Sequence, residues 1–257
     1  MSRTALVTGS TSGVGLAMAK AYAGHGLNVI INGFGDVDGP LNEVRAAAKG
    51  SSTVEYLRAD MAKSSDIEDM FKDSARLFGG VDILVNNAGI QHVAPIDEFP
   101  VEKWDSIIAI NLTSAFHTTR LALPYMKQQD WGRIINVAST HGLVASANKA
   151  PYVVSKHGII GMTKAVALET AQTGITCNSI LPGWVLTPLV QAQVDARAAE
   201  HGLSDAEAKA LLLAEKQPSG KFVSPEQLAS LALFLSSDDA SEVRGVAWNM
   251  DGGWVAQ

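Results

Sequence analysis

The first 25 residues constrain the fold of this chain more than any other stretch. Residues 4–8 are an apolar run of strand length, the glycine turn Gly9-Ser-Thr-Ser-Gly13-Val-Gly15 follows, and a helical pattern occupies residues 16–25. A strand, a glycine turn and a helix in that order form an anion site from backbone N–H groups and the helix dipole. Glycine permits the tight turn and the close approach of a pyrophosphate. A purely structural turn is the alternative, but this context favours nucleotide binding.

Strand-like and helix-like segments alternate along the chain. After the first strand, apolar runs of strand length recur at residues 28–32, 54–58, 81–85, 133–138, 176–181 and 247–251. Helical patterns separate most of these runs. The alternation predicts an α/β fold, a doubly wound parallel sheet of the Rossmann type with about seven strands. No repeat or linker interrupts the pattern, so we predict a single dinucleotide-binding domain over residues 1–257.

Three local patterns refine this outline. Ser65-Asp-Ile-Glu68 fits a capping box that begins a helix ending near residue 78, and Ser224-Pro-Glu-Gln227 caps a later helix. Residues 187–217 alternate charged side chains with alanine and leucine, which predicts two short amphipathic helices over the carboxyl edge of the sheet. We interpret these helices as a small substrate lid. A solvated insertion without a role is the alternative.

Composition narrows the classes of partner. Charged residues make up 18% of the chain and hydrophobic residues 47%, which is typical of a compact globular protein. A net charge of −6 argues against a nucleic-acid partner. Cys177 is the single cysteine, so we expect no intrachain disulfide and no metal site. No apolar run approaches the roughly 20 residues of a membrane span, and no signal pattern opens the chain, so we predict a cytoplasmic protein without a membrane partner.

The stretch from residue 139 to residue 156 carries the candidate chemistry. Tyr152 and Lys156 are four residues apart and therefore share one face of a helix. A phenol has a reference pKa of about 10, and an ammonium one turn away favours the phenolate. Ser139 follows the predicted strand 133–138, at the strand end where open α/β sheets bind ligands. Its hydroxyl can hydrogen-bond the oxygen of a reacting alcohol or carbonyl. A half-buried tyrosine beside a solvated lysine is the alternative for this short motif.

Asn111 lies among apolar neighbours in a long helical stretch, residues 101–129. A buried amide inside a helix needs hydrogen-bond partners. It can be an incidental core amide, or it can belong to a polar relay toward Lys156.

The end of the second predicted strand bears on the choice of cofactor. Dinucleotide folds often place an acid there to hold the ribose hydroxyls, but Gly33, Phe34 and Gly35 occupy that position and Asp36 comes late. No arginine or lysine stands in the glycine turn or directly after this strand, so a 2′-phosphate would lack a counter-charge. We therefore predict NAD rather than NADP, with Phe34 packing against the adenosine. The Asp60 carboxylate, after the third strand, can accept from an adenine amino group.

Taken together, the motifs resemble the short-chain dehydrogenase/reductase family along nearly the whole chain. They are Thr8-Gly-x-x-x-Gly-x-Gly15, Asn86-Asn-Ala-Gly89, Asn111, Ser139, Tyr152-x-x-x-Lys156 and Pro182-Gly183. The resemblance implies a doubly wound sheet, a catalytic tetrad and a homotetramer built through the long helices and the C-terminal edge. The tetrad is Asn111, Ser139, Tyr152 and Lys156. The implied cofactor contacts are Gly9, Thr11, Ser12, Gly13, Val14, Phe34, Asp60, Met61, Asn87, Gly89, Tyr152, Lys156 and Thr187.

A narrower resemblance, to the bacterial D-3-hydroxybutyrate dehydrogenase branch of that family, rests on residues 32–35, 87–92, 139–145, 148–149, 182–184 and 252–254. It implies a carboxylate site made of Gln91, His141, Lys149 and Gln193, with Trp184 and Trp254 as aromatic pocket walls. The residues alone allow a similar inference, because Lys149 and His141 flank Ser139 and Tyr152 in one loop. Charge-assisted bonds from both can fix a small carboxylate. A solvated lysine and a packed histidine are the alternatives.

The expected reaction is the reversible, NAD-dependent oxidation of (R)-3-hydroxybutyrate to acetoacetate, with Tyr152 as general base. Within the enzyme class, another 3-oxo acid, a thioester, a neutral ketone or a sugar remains open as the substrate. A dinucleotide-sensing scaffold on the same fold is a non-catalytic alternative. A nucleotide-sugar epimerase usually needs a larger substrate domain than residues 187–217 provide.

Overall fold

Seven parallel strands form one sheet at the centre of the molecule. The computed structural model describes residues 2–256. The strands are β1 (Thr4–Val7), β2 (Asn28–Ile31), β3 (Val54–Tyr56), β4 (Ile83–Asn86), β5 (Gly132–Val137), β6 (Ile175–Pro182) and β7 (Ala247–Met250). Their order in space is β3-β2-β1-β4-β5-β6-β7, and each neighbouring pair is parallel. The predicted doubly wound sheet is confirmed, and its strand order reverses between β1 and β4, where such sheets bind ligands.

Helices cover both faces of the sheet. They are α1 (Gly13–Gly24), α2 (Asp38–Ala47), α3 (Ser64–Phe78), α4 (Val101–Ile108), α5 (Ser114–Gln129), α6 (Ala150–Glu169), α7 (Pro188–His201), α8 (Asp205–Lys216) and α9 (Pro225–Ser236). Within residues 2–256, no helix combines the length and the apolar character that crossing a membrane requires.

The alternation of side chains along the strands creates two cores. Ala5 and Val7 of β1 face a cluster built with α1 and α9, whereas Leu6 faces a second cluster built with α3 and α5. Successive side chains of a strand point to opposite faces, so a strand buried on both faces is apolar throughout. The two cores fix the sheet from both sides and leave its carboxyl edge open for a site.

Some element boundaries differ from the sequence prediction. The prediction of a capping box at residues 65–68 is wrong. Helix α3 begins at Ser64 with Lys63 at the N-cap position, and no side chain caps the helix. The Asp66 carboxylate instead accepts from the backbone N–H of Asp60 at 3.2 Å. The cap of α9 is confirmed as a full capping box between Ser224 and Gln227. Sequence patterns did not predict α2, which buries only Pro40 and Val44.

Candidate active site

A cleft of about 400 Å³ opens along the carboxyl ends of the central strands. It contains twelve of the thirteen residues implied as cofactor contacts. They are Gly9, Thr11, Ser12, Gly13, Val14, Phe34, Met61, Asn87, Gly89, Tyr152, Lys156 and Thr187. The cleft thus lies at the switch point of the sheet, where the fold class places its ligand.

The glycine turn is shaped to receive an anion. Gly9 and Gly13 have φ values of +63° and +55°, a region that L side chains rarely adopt. A Cβ at Gly9 would lie 2.8 Å from the Ala88 Cα, so the turn can approach the chain after β4 this closely only with glycine. No side chain caps the N-terminus of α1, which leaves its first N–H groups for a ligand. These features fit the pyrophosphate of a dinucleotide.

Asn87 fixes the back of this turn. Its Nδ2 donates to the backbone oxygens of Thr8 and Gly9 at 2.9 and 3.0 Å. The Thr8 hydroxyl accepts from the backbone N–H groups of Asn87 and Ala88 at 3.0 Å each. Asn87 therefore ties the end of β4 to the end of β1, and it holds the glycine turn in place.

The adenosine end of the cleft carries Phe34, whose side chain is 58% exposed. The structure does not bring Asp60 to the cleft. Its carboxylate accepts from the backbone N–H of Ala62 at 3.0 Å and lies 3.5 Å from the Lys63 ammonium. A short Asp side chain readily closes such a local turn, and Met61 lines the cleft in its place. Among the described residues that line the cleft, Lys156 is the only one with a basic side chain.

The proton-transfer residues meet at the junction of β5 and α6. Ser139 follows β5 in extended backbone, and Tyr152 lies in the first turn of α6. Ser139 and Tyr152 line the same small chamber, and the Ser139 hydroxyl is close enough to the Tyr152 phenol to lower its pKa. Lys156 donates to the backbone oxygen of Val137 at 2.8 Å, and its Nζ lies 5.5 Å from the centre of the Tyr152 ring. The structure thus brings all three side chains together.

Burial controls the charge of this group. Loss of solvent raises the pKa of Tyr152 above its ordinary value, and the Ser139 hydroxyl opposes that rise. Burial also lowers the pKa of Lys156, to about 8. Burial therefore outweighs the lowering predicted from Lys156, and the net shift of the Tyr152 pKa is upward, because a poorly solvated site disfavours both the phenolate and the ammonium. Tyr152 accordingly holds its proton at neutral pH.

Asn111 occupies a π-helical segment, Ala109–Thr113, that interrupts the predicted helix over residues 101–129. Its side chain accepts from the Ile90 N–H at 2.8 Å and donates to the Ile90 oxygen at 2.9 Å. Its Nδ2 also lies 3.4 Å from the Ser155 hydroxyl, next to Lys156 in sequence. Single π turns often occur at functional sites. Here the amide joins the helix to the loop after β4, and it does not contact Lys156 itself.

A smaller chamber of about 50 Å³ adjoins Ser139 and Tyr152. All six predicted substrate contacts line it: Gln91, His141, Lys149, Trp184, Gln193 and Trp254. The Lys149 ammonium donates to Gln193 Oε1 of α7 at 3.0 Å, so the predicted lid reaches the chamber. The rings of Trp184 and Trp254 lie 5.5 Å apart and form an aromatic wall.

Buried polar atoms without partners line this chamber. Gln91 Nε2, Trp184 Nε1 and Thr140 Oγ1 have no hydrogen-bond partner within residues 2–256. Buried polar groups in proteins are nearly always satisfied, so unpartnered polar atoms on three residues that line one cavity favour a polar ligand there. The motifs did not indicate Thr140 as a residue of the chamber, although it lies between Ser139 and His141 in the sequence.

The chamber contains one cation. Burial, followed by repulsion from Arg197, lowers the pKa of Lys149 to about 8, which leaves it mostly protonated at neutral pH. Burial and the nearby Lys149 lower the pKa of His141 to about 4. A buried imidazole beside an ammonium is neutral, so the charge in the predicted bond from His141 would come from the acceptor carboxylate.

Comparison with known proteins agrees with this geometry. A family model described as short chain dehydrogenase matches residues 3–198. The D-beta-hydroxybutyrate dehydrogenase of Cupriavidus necator is 66% identical over 255 residues, which cover 99% of this chain and 98% of that protein. The protein of the same name from Rhizobium meliloti is 53% identical over 262 residues and covers 100% of both chains. The crystal structure of an actinorhodin polyketide ketoreductase with NADPH matches with a TM-score of 0.92 and 35% identity, over 98% of this chain and 97% of that one. The chain belongs to the short-chain dehydrogenase family.

Proposed function

We propose that the protein catalyses the reversible oxidation of (R)-3-hydroxybutyrate to acetoacetate, with NAD as the hydride acceptor. The observation that carries this proposal is the chamber that places one ammonium, that of Lys149, beside the Ser139–Tyr152 pair. A small acid with an alcohol near its carboxylate can place its carboxylate at Lys149 and its hydroxyl at the Ser139–Tyr152 pair. The two full-length relatives named D-beta-hydroxybutyrate dehydrogenase support the same substrate.

The chamber offers a contact to each part of a four-carbon hydroxy acid. Lys149 and the unpartnered Gln91 Nε2 offer donors to the carboxylate, and Gln193 stands beside them on the lid. Trp184 and Trp254 close the apolar side and limit the length of the chain that fits. Fixing both ends of so small a molecule orients one face of its reacting carbon.

The chain's own residues move one proton. In oxidation Tyr152 first releases its phenol proton to solvent, and the phenolate then accepts the substrate hydroxyl proton while Ser139 donates a hydrogen bond to the substrate oxygen. In reduction Tyr152 returns that proton, and its raised pKa keeps the proton available at neutral pH. Lys156 uses one N–H for the Val137 oxygen and retains two for the nicotinamide ribose. The nicotinamide dinucleotide, when bound, supplies the acceptor or donor of the hydride.

NAD rather than NADP is part of the proposal. The cleft offers no arginine or lysine besides Lys156 among its described lining residues, and Phe34 lies where the adenosine is expected. A 2′-phosphate would therefore meet no counter-charge. Asp36, two residues after Phe34, adds a negative charge close in sequence.

We also propose a homotetramer. Exposed apolar side chains lie on the long helices, where Phe116 of α5 is 51% and Leu168 of α6 is 79% exposed. At the edge strand β7, Trp248 stacks on Phe234 with ring centres 5.9 Å apart, and both rings remain partly exposed. Such surfaces support association through the helices and through the C-terminal edge.

A panel of substrates tests the proposal. We expect acetoacetate with NADH to be turned over at least about 100-fold more efficiently than acetoacetyl thioester or a neutral methyl ketone, because Lys149 favours the carboxylate by a few kcal/mol. We expect a similar preference for NADH over NADPH with acetoacetate, because the cleft offers no counter-charge to a 2′-phosphate. Lys149→Ala should raise the KM for acetoacetate by about 10- to 100-fold and leave the neutral ketone unchanged. Preference for the thioester or for NADPH contradicts the proposal.

Tyr152→Phe is the matched control for proton transfer in this panel. It keeps the ring and removes the hydroxyl, so turnover should disappear while NADH still binds, as measured by its fluorescence. Retained turnover in this variant contradicts the role of Tyr152.

A further inference from the structure

The imidazole of His141 lies between two serine hydroxyls. Its Nε2 is 2.9 Å from the Ser146 Oγ, and its Nδ1 is 3.4 Å from the Ser139 Oγ. Ser146 belongs to the loop between the turn at Thr140–Gly142 and α6, and it lines neither the cleft nor the chamber. A neutral imidazole carries one N–H and one acceptor nitrogen, so the ring has two alternative tautomers.

The Ser139 hydroxyl can donate one hydrogen bond and accept two. It has one proton and two lone pairs, and one lone pair already accepts the backbone N–H of His141 at 3.2 Å. If His141 Nδ1 carries the ring proton, it donates to the second lone pair. The Ser139 proton must then go to Tyr152 or to the reacting oxygen.

The other tautomer has the opposite effect. If Nε2 carries the proton, Nδ1 is an acceptor and competes for the Ser139 proton. The serine hydroxyl would then be directed to the imidazole and away from the reacting oxygen. The tautomer of His141 therefore decides whether Ser139 can act as a donor during the reaction.

We propose that Ser146 is a positioning residue that sets the His141 tautomer. Its hydroxyl donates to Nε2, which leaves the ring proton on Nδ1 and completes a chain of donors from Ser146 through His141 to Ser139 and the reacting oxygen. Hydrogen bonds in such a chain strengthen one another. The kinetic consequence rests on the proposed function, whereas the tautomer itself does not.

Nitrogen NMR of the holoenzyme with NAD tests the tautomer directly. The chain contains six histidines, and the His141 signals are identified by their loss in His141→Gln. We expect an acceptor-type Nε2 and a protonated Nδ1 in the parent protein. Ser146→Ala should shift the population toward protonated Nε2, and Ser146→Thr, which keeps the hydroxyl, should preserve the parent pattern. Protonated Nε2 in the parent, or a tautomer unchanged by Ser146→Ala, overturns the proposal.

Kinetics provide the second measurement. Ser146→Ala should lower kcat for acetoacetate by about five- to tenfold, the loss of one hydrogen bond, with KM changed less than about twofold. Ser146→Thr should restore kcat. The matched control is Ser230→Ala on α9, whose hydroxyl bonds the Glu226 oxygen and which should change neither constant. If Ser146→Ala does not fold, Ser146→Cys, a weak donor of similar size, replaces it in both measurements.

The two measurements separate the two proposals. If acetoacetate proves not to be a substrate, the NMR result still decides the role of Ser146. If Ser146→Ala changes the tautomer but keeps the parent kcat, Ser146 positions only the His141 ring. That result overturns the proposed influence of Ser146 on Ser139.

Discussion

Two lysines of the site, the buried Lys156 and the half-buried Lys149, each donate to a neutral oxygen. Lys156 donates to the backbone oxygen of Val137, and Lys149 donates to the amide oxygen of Gln193. Burial lowers the pKa of each to about 8. Their charges therefore change within a pH range in which the enzyme can be assayed, and Lys149 alone faces the proposed substrate carboxylate.

The KM for acetoacetate should depend on pH through Lys149. The lysine is protonated below its pKa of about 8, so KM should be constant there and rise about tenfold per pH unit above it. Lys149→Arg stays charged and should remove the rise, even if its baseline KM differs. The measurement is KM between about pH 6.5 and 9.5 at saturating NADH. A flat profile in the parent protein contradicts the carboxylate role, and a neutral ketone serves as control.

At the residue scale the sequence predicted which side chains meet but not their charges. Motif order and spacing identified Ser139, Tyr152 and Lys156, because four residues on a helix make one turn. The pKa directions of Tyr152 and His141 depend on the solvent each loses, and spacing contains no information about that. Asp60 is a related case, since spacing does not reveal that its carboxylate closes a local turn, and its contact to an adenine amino group stays a prediction.

At the scale of elements, an apolar cluster attaches the proposed lid, α7 and α8, to the chamber. Val194 of α7 and Leu212 of α8 pack with Trp184 and Trp254, the aromatic walls of the chamber. A full capping box at Ser204 and Glu207 fixes the start of α8. The same cluster therefore builds the wall of the substrate chamber and holds the lid against it.

Leu212→Ala should loosen the lid. Removing a buried leucine side chain costs about 2–5 kcal/mol, here in a helix that packs against α7 and the two tryptophans of the chamber. We expect faster amide exchange in α7 and α8 and an acetoacetate KM raised at least about tenfold, with NADH affinity changed less than about threefold. Leu211→Ala, at a 40% exposed position of the same helix, is the matched control. Unchanged exchange in Leu212→Ala contradicts this attachment.

The π turn at Ala109–Thr113 shows what periodicity cannot predict about an element. Apolar spacing indicated one continuous helix over residues 101–129, and the structure has α4, the π turn and α5 in its place. Asn111 gave the only signal, as a polar residue among apolar neighbours. Its two bonds to Ile90 come from a loop distant in sequence, and that pairing cannot be inferred from local pattern.

At the scale of the molecule, Arg133 joins the amino end of β5 to the segments around it. Its guanidinium donates to the backbone oxygens of Gly132 and Gly174 at 2.9 Å and of Ser237 at 3.3 Å, and the side chain is 2% exposed. The Trp131 ring lies between the guanidiniums of Arg133 and Arg3, at 4.4 and 3.5 Å. This assembly stands at the opposite end of β5 from Ser139.

Arg133→Met should reduce stability and spare catalysis. Several buried carbonyl groups lose their donor, at about 1–3 kcal/mol each, so Tm should fall by roughly 10 °C. The kcat/KM measured well below Tm should remain within about twofold. Arg76→Met removes an exposed ion pair with Asp73 and should leave Tm within about 2 °C. A parent-like Tm in Arg133→Met would show that the carbonyl groups find other donors.

The order of motifs along the chain predicted the sheet and the position of its cleft, because a doubly wound fold brings the carboxyl ends of its strands to one edge. The two-sided core followed from strands that are apolar on both faces. Assigning residues 1–257 to a single domain stays a prediction. The helix α2 was missed because its exposed polar character resembles that of a loop.

The contact between Lys149 and Gln193 has a consequence for how the enzyme selects its substrate. The ammonium is already solvated by an uncharged amide dipole from the lid, so an arriving molecule must offer something stronger to replace it. A carboxylate does so, because a full negative charge attracts the ammonium more than a dipole can. A neutral ketone does not, and it would leave the lysine and the lid bound to each other. Discrimination at this site is thus a competition between two acceptors for one cation, decided before any bond to carbon is broken.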